Sequence, residues 1–224
     1  MIAAFMDSTN LKADASQKDI RILCEEAVNY GMTAICIHPC RLAEARDYLR
    51  GSEVKLATVI GFPLGADSPA TKVFAAREAL VQGAAELDMV INLGAVEDGN
   101  LNAVSAEIKS LLELKQDYRF LLKVIVETAL LQRDKLETLT ELVSDSGADF
   151  IKTSTGFSTR GVSLEDITVI NAHKSERLKI KASGGVRSLD FALQLINAGV
   201  DRIGSSNAAY LVQEYRQKGG LSKG

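Results

Sequence analysis

The chain has 224 residues, 46% of them apolar and 25% charged, a composition that supports one sizeable core and excludes disordered and fibrous classes. Lys and Arg number 26 and Asp and Glu 29, a formal net charge of −3, so no basic face dominates the surface, and nucleic acid and anionic membranes are poor partners. No run approaches the roughly 18 uninterrupted apolar residues of a membrane span, and the opening MIAAFMDSTNLK has no basic region before its apolar run, so no signal peptide is expected.

The first strand-like run covers 3–7. A helical pattern over 16–30 follows, with Ile20, Leu23, Ala27 and Val28 on one face, Ser16 at its N-cap and Asp19 three residues on. Strand-like runs then cover 33–38, 54–61, 85–92 and 119–127. A second helical pattern, 134–146, carries Leu136, Leu139 and Val143. Strands at 149–154 and 178–183 precede a third, 188–198, with Phe191, Leu195 and Ile196, and a last strand covers 201–206. Gly31, Gly83, Gly147 and Gly199 each close a helical stretch and precede a β-rich run. Glycine is expected there because the chain turns left-handed without a Cβ clash. Their spacing is about two strand-plus-helix units, and the chain holds eight such units.

Strands alternating with helices predict parallel pairing through right-handed crossovers. Eight units predict an α/β chain folded as a closed (β/α)8 TIM barrel, one catalytic domain over 1–224. An open doubly wound sheet is the rival; no G-x-G-x-x-G follows the first strand, and the even spacing counts against it. Cys24, Cys36 and Cys40 are few and odd in number, which suits a reducing cytoplasm. Cys36, His38 and Cys40 form C-x-H-x-C, but with two His in the chain and no second ligand cluster they read as thiols on or beside a strand rather than a metal site.

A parallel barrel places its chemistry at the C-terminal ends of its strands. Polar residues there include Asp7 and Thr9 after strand 1, His38 after strand 2 and Glu127 with Thr128 after strand 5. Three lysines interrupt apolar strands: Lys123, Lys152 and Lys181. Lysine is rarely buried unpaired, and Lys152 and Lys181 fall on neighbouring strands near the mouth. A free lysine has a pKa of about 10.4, so about one in 2,500 is neutral at pH 7. A second ammonium within a few Å, together with desolvation, lowers that value; three units amount to about 4 kcal/mol. The result is an amine able to form a Schiff base with a carbonyl. Asp88, between Leu87 and Met89, calls for an ion pair with Lys181 or Lys123 and would place a proton carrier nearby. The loop with Gly184, Gly185 and Arg187, the Gly204-Ser205-Ser206 segment before the last helix, and Gly156 after Thr155 together read as an anion site.

These residues carry a pattern: TVIGFPLG, ELDMVINLGA, LKVIVET, FIKTSTGF and KASGGVR, running over nearly the whole chain. The chain resembles the deoxyribose-phosphate aldolases, class I aldolases that use neither metal nor cofactor. The resemblance implies reversible cleavage of 2-deoxy-D-ribose 5-phosphate to D-glyceraldehyde 3-phosphate and acetaldehyde. Lys152 would form the Schiff base, Lys181 would depress its pKa and share in proton relay, and Asp88 would pair with Lys181. Gly156, Gly184, Gly185, Gly204, Ser205 and Ser206 would line the phosphate pocket, with Lys123 and Thr155 in a supporting polar network. Where the family often has Asp-His-Thr and Leu-Lys-Pro, this chain has Ser8 and Ala13, which alters the first loop. The tail KGGLSKG lacks an aromatic terminus. Such barrels often form homodimers or larger homo-oligomers, but no surface stripe marks an interface. The rivals are a phosphosugar isomerase or other lyase on the same barrel and a silent phosphosugar-binding protein.

Overall fold

The computed structural model describes residues 2–219. Eight parallel strands close into a barrel, each paired with its sequence neighbours and β1 with β8. They are β1 (Met6–Asn10), β2 (Ala34–Ile37), β3 (Lys55–Ile60), β4 (Glu86–Val90), β5 (Leu121–Ile125), β6 (Phe150–Lys152), β7 (Lys179–Ser183) and β8 (Arg202–Ser205). Around them lie α1 (Gln17–Tyr30), α2 (Leu42–Tyr48), α3 (Pro69–Val81), α4 (Leu93–Glu97), α5 (Leu101–Leu112), α6 (Arg133–Ser146), α7 (Leu164–His173), α8 (Leu189–Asn197) and α9 (Ala208–Gln217). The expected barrel is therefore the observed one. Among the described residues no helix is long and apolar enough to cross a membrane.

Local chemistry accounts for the boundaries. Ser16 and Asp19 form a reciprocal capping box on α1, and Ser163 with Asp166 form a second on α7. Gly31, Gly83, Gly147 and Gly199 all have positive φ, 68° to 102°, as the spacing predicts. The main core lies between the strands' outward apolar side chains and the helices. A small second cluster, Leu11, Cys36, Ala57 and Val59, sits apart from it with Phe62 packed against it.

The first strand is a correction. Residues Ile2–Phe5 form a 3-10 turn with Ile2 and Ala3 buried, and β1 runs Met6–Asn10. Asp7 and Thr9 therefore lie within the strand, not after it, and Asp7 is fully buried. The apolar pattern stops at Asp7 because the barrel's interior is charged, so polarity there marks the lumen rather than a loop.

A buried ion pair outside the lumen fixes the exit of β4. Lys72 on α3 donates to Glu107 on α5 (2.7 Å) and to the Val90 carbonyl (2.8 Å), and Glu107 accepts the Asn92 N–H at 2.5 Å. Both side chains are almost wholly buried, so removing one partner strands the other charge. Glu107→Ala is expected to cost about 3–5 kcal/mol, whereas Lys72→Met with Glu107→Leu costs far less. Urea unfolding of the three proteins checks this; equal losses for the single and double variants would contradict it.

Candidate active site

Register brings the sequence-predicted residues together. Lys152 and Lys181 are direct partners on β6 and β7, and Asp88 and Lys123 on β4 and β5. Neighbouring parallel strands stand about 4.8 Å apart, so paired side chains enter the lumen side by side. The Asp88 carboxylate receives all three amines: Lys123 at 2.7 Å on Oδ1, and Lys152 at 2.8 Å and Lys181 at 2.7 Å on Oδ2. The Lys152 and Lys181 amines thus share one oxygen and lie no further apart than those two lengths laid end to end. Asp88 pairs with both lysines expected of it and with Lys152 as well.

Below this cluster lie Asp7, which the sequence analysis placed after strand 1, and two charges that it did not single out, Glu86 and Arg202. Asp7 meets Lys181 and Arg202, each at 2.6 Å. Glu86 meets Lys123 at 2.6 Å and Arg202 at 3.4 Å. Glu86 was legible: it stands two residues before Asp88, hence on the same strand face. Arg202 stands likewise two residues before Gly204.

The electrostatics separate the lysines. Burial pulls the Lys152 ammonium below its ordinary pKa; Asp88 opposes, and the Lys181 ammonium adds to the lowering. The neighbouring cation acts in the expected direction, with burial the larger cause. Burial acts on Lys181 too, but Asp7 and Asp88 more than offset it and hold this amine well above the usual range. Asp88 falls well below the ordinary carboxylate value: burial would raise it, and the three lysines outweigh that. Cys36, beside Asp88 at 3.8 Å, is pushed up to about 11 by burial, so it is a neutral thiol at pH 7. Cys40 is exposed in the turn after β2. Among the described residues no three His, Cys, Asp or Glu side chains gather as metal ligands.

Above the lysines opens a recess of about 230 Å³ lined by Lys152, Thr155, Gly156, Gly184, Gly185, Gly204, Ser205 and Ser206, with Lys12 and Arg187 at its edge. Every residue expected at an anion site lines it. Lys123 and Lys181 do not; both are fully buried beneath it. Gly156, Gly184 and Gly185 have φ of 88°, 79° and 75°, and neither Gly156 nor Gly185 donates a backbone hydrogen bond within the described residues. Gly161 was missed: a Cβ there would lie 2.0 Å from the Gly184 carbonyl oxygen, so the two loops can touch only through glycine. Thr155 lies in a polar network with Glu127. Its N–H (3.1 Å) and its hydroxyl both bond Glu127 Oε2, not the lysine cluster. Glu127 takes a left-handed φ of 54° to do so, a conformation rare outside glycine. Phe62 and Phe157 meet edge to face across the rim at 5.3 Å, with Phe157 largely exposed. The residues 220–224 of the tail lie outside the described residues.

The fold and site together define a (β/α)8-barrel enzyme of the carbon–carbon lyase class. The chain belongs to the DeoC/LacD family of aldolases, whose pattern matches residues 1–212. It is 45% identical over 214 residues to the deoxyribose-phosphate aldolase of Caldicellulosiruptor saccharolyticus, covering 95% of this chain and 97% of that one. Among solved structures it superposes on the aldolase QR15 with a TM-score of 0.93 at 36% identity, over 99% of both chains. It also superposes on a tetrameric deoxyribose phosphate aldolase from Aeropyrum pernix with a TM-score of 0.90 at 32% identity, over 97% of this chain and 92% of that one.

The lumen carboxylates tie stability to acid. Asp7, buried among Lys181, Lys123 and Arg202, is lowered from 3.8 to about 2, and Asp88 shifts the same way. A carboxyl with a depressed folded pKa stabilises fully above its unfolded value, and the contribution is lost as pH falls through the folded one. The urea midpoint is therefore expected to hold between pH 6 and 5 and to fall steeply from about pH 4 towards 2. A midpoint unchanged at pH 2.5 would contradict it.

Proposed function

We propose that the chain reversibly cleaves 2-deoxy-D-ribose 5-phosphate to D-glyceraldehyde 3-phosphate and acetaldehyde, with Lys152 as the Schiff-base residue. The observation that carries this reading is that Lys152, alone of the three lumen lysines, lines the recess bordered by the glycine loops. A neutral Lys152 amine attacks the open-chain aldehyde carbon, and water leaves as the protonated imine forms. As the C3 hydroxyl gives up its proton to the Asp88–water relay, the imine draws the electron pair of the C2–C3 bond, C3 becomes the aldehyde of the departing triose phosphate, and an enamine remains on Lys152. Protonation of that enamine at C2 and hydrolysis release acetaldehyde and restore the amine. Asp88 and Lys181, hydrogen-bonded to each other beside Lys152, move these protons through a water. Gly156, Gly184, Gly185, Gly204, Ser205 and Ser206 hold the phosphate through backbone N–H groups and hydroxyls. Lys123 neutralises Asp88 from below, and Thr155 keeps the β6 loop in place.

The same reading takes residues 1–224 as one catalytic barrel acting in a reducing cytoplasm, in deoxyribonucleotide breakdown. The free thiols Cys24, Cys36 and Cys40 suit that compartment. It includes assembly as a homo-oligomer, for which Phe74 and Val81, exposed on α3, offer apolar surface. A phosphosugar isomerase would need a carboxylate base facing its substrate, and among the described residues no Asp or Glu lines the recess.

Reductive trapping tests the assignment. Borohydride with acetaldehyde or substrate is expected to leave a stable adduct on the peptide containing Lys152, and Lys152→Met is expected to abolish both adduct and turnover, a loss of at least about 10³-fold. Full activity in that variant, or an adduct on another lysine, would overturn it.

A further inference from the structure

Among the described residues the lumen's buried charges do not balance. Three carboxylates, Asp7, Glu86 and Asp88, share it with four basic side chains, Lys123, Lys152, Lys181 and Arg202. Asp7 and Asp88 are fully buried, and Glu86 and Arg202 nearly so. An uncompensated charge in such surroundings is costly, and a titratable group there sheds it instead. One proton too many is present when all four basic groups are charged.

Geometry decides which group gives it up. Arg202 cannot, because a guanidinium stays protonated in proteins; it also packs over the Phe150 ring at 5.7 Å. Lys181 lies between two carboxylates, Asp7 at 2.6 Å and Asp88 at 2.7 Å. Lys123 lies between Glu86 at 2.6 Å and Asp88 at 2.7 Å, with Asp7 at 3.8 Å. Lys152 has one carboxylate oxygen, at 2.8 Å, and shares it with Lys181. Deprotonating Lys152 therefore sacrifices the weakest set of contacts.

We propose that Arg202 and Glu86, which lie on the lumen floor away from the recess, are positioning residues that set the proton count of the lysines above them. Arg202 supplies a fixed positive charge that leaves Lys152 as the neutral amine, and Glu86 limits how far that effect goes. The inference rests on Lys152 being the Schiff-base residue, but its physical content is the protonation of Lys152. Asp88 from β4, Lys181 from β7 and Cys36 from β2 act directly on Lys152, and Asp7 from β1, Glu86 from β4, Lys123 from β5 and Arg202 from β8 reach it through their contacts with Asp88, Lys181 and one another. Cys36 is neutral at pH 7. Lys12 and Arg187 stand exposed at the edge of the recess, and Glu127 is engaged by Thr155.

The test reads Lys152 protonation without relying on aldol chemistry. Competitive labelling with acetic anhydride across pH, followed by peptide mass mapping, gives the midpoint at which Lys152 becomes reactive. Folding of each variant is checked by circular dichroism. Arg202→Met is expected to raise the midpoint by about one unit, so that labelling at pH 7 drops about tenfold. Arg202→Lys, which keeps the charge, is expected to stay near the parent. Glu86→Gln is expected to lower the midpoint, and the Arg202→Met/Glu86→Gln double variant to return towards the parent. Midpoints that do not move, or that move the same way in Arg202→Met and Glu86→Gln, overturn the proposal. Where Arg202→Met does not fold, Glu86→Gln decides alone: a lower midpoint supports the proposal, and an unchanged or higher one overturns it. Borohydride trapping run in parallel separates the outcomes. Absence of a Lys152 adduct in the parent refutes the Schiff-base assignment, while the labelling midpoints still judge the charge balance.

Discussion

One carboxylate organises the interior of this barrel. Asp88 accepts hydrogen bonds from Lys123, Lys152 and Lys181, and among the described residues no other side chain bridges the lysines of three different strands. Burying these ions costs several kcal/mol each before any attraction is counted, so the arrangement persists only because each amine finds an oxygen. Its distribution among the amines is unequal. Lys181 and Lys123 each have a second carboxylate, and Lys152 has half of one oxygen. On the proposed assignment of Lys152, the difference between a structural ammonium and a nucleophilic amine is a difference in how many partners each was given.

The surrounding backbone keeps that inequality in place. Register sets Lys152 beside Lys181 and Asp88 beside Lys123, and the loops above are braced against one another. Thr128 donates its N–H to the Thr153 carbonyl and its hydroxyl to Asp166, and Arg160 bridges Asp166 and the Thr128 carbonyl. Glu127, in its left-handed conformation, completes the brace at Thr155. Backbone held in a sparsely populated region needs such support, and here the supporting contacts lie on the loop that follows the Schiff-base candidate.

The barrel was legible because alternation of strands and helices is a local signal repeated eight times, and its helix-ending glycines mark it independently. The two lysines, Asp88 and the glycine loops were legible because each breaks an apolar strand or opens a helix. The first strand was misplaced for the same reason that the site exists: its inward side chain is Asp7, and a rule that seeks apolar alternation ends the strand at the charge. Arg202 and Glu86 lay within reach of two-residue spacing from Gly204 and Asp88. Gly161 was not, because its role comes from a contact with Gly184, on another loop, that no local pattern encodes, and Glu127 was marked only by its place after strand 5, with no local signal of its contact with Thr155. The family motifs marked the same positions, but they could not show that one carboxylate serves three amines.

The rim is built differently from the floor. Lysines and carboxylates below are locked by buried ion pairs, whereas the edge-to-face contact of Phe62 and Phe157 involves one ring packed on a small apolar cluster and another standing largely in solvent. Phe157, which lines the recess, is therefore positioned by a side-chain contact rather than by the scaffold. Anyone wishing to admit bulkier aldehydes has a place to cut that leaves the machinery underneath untouched.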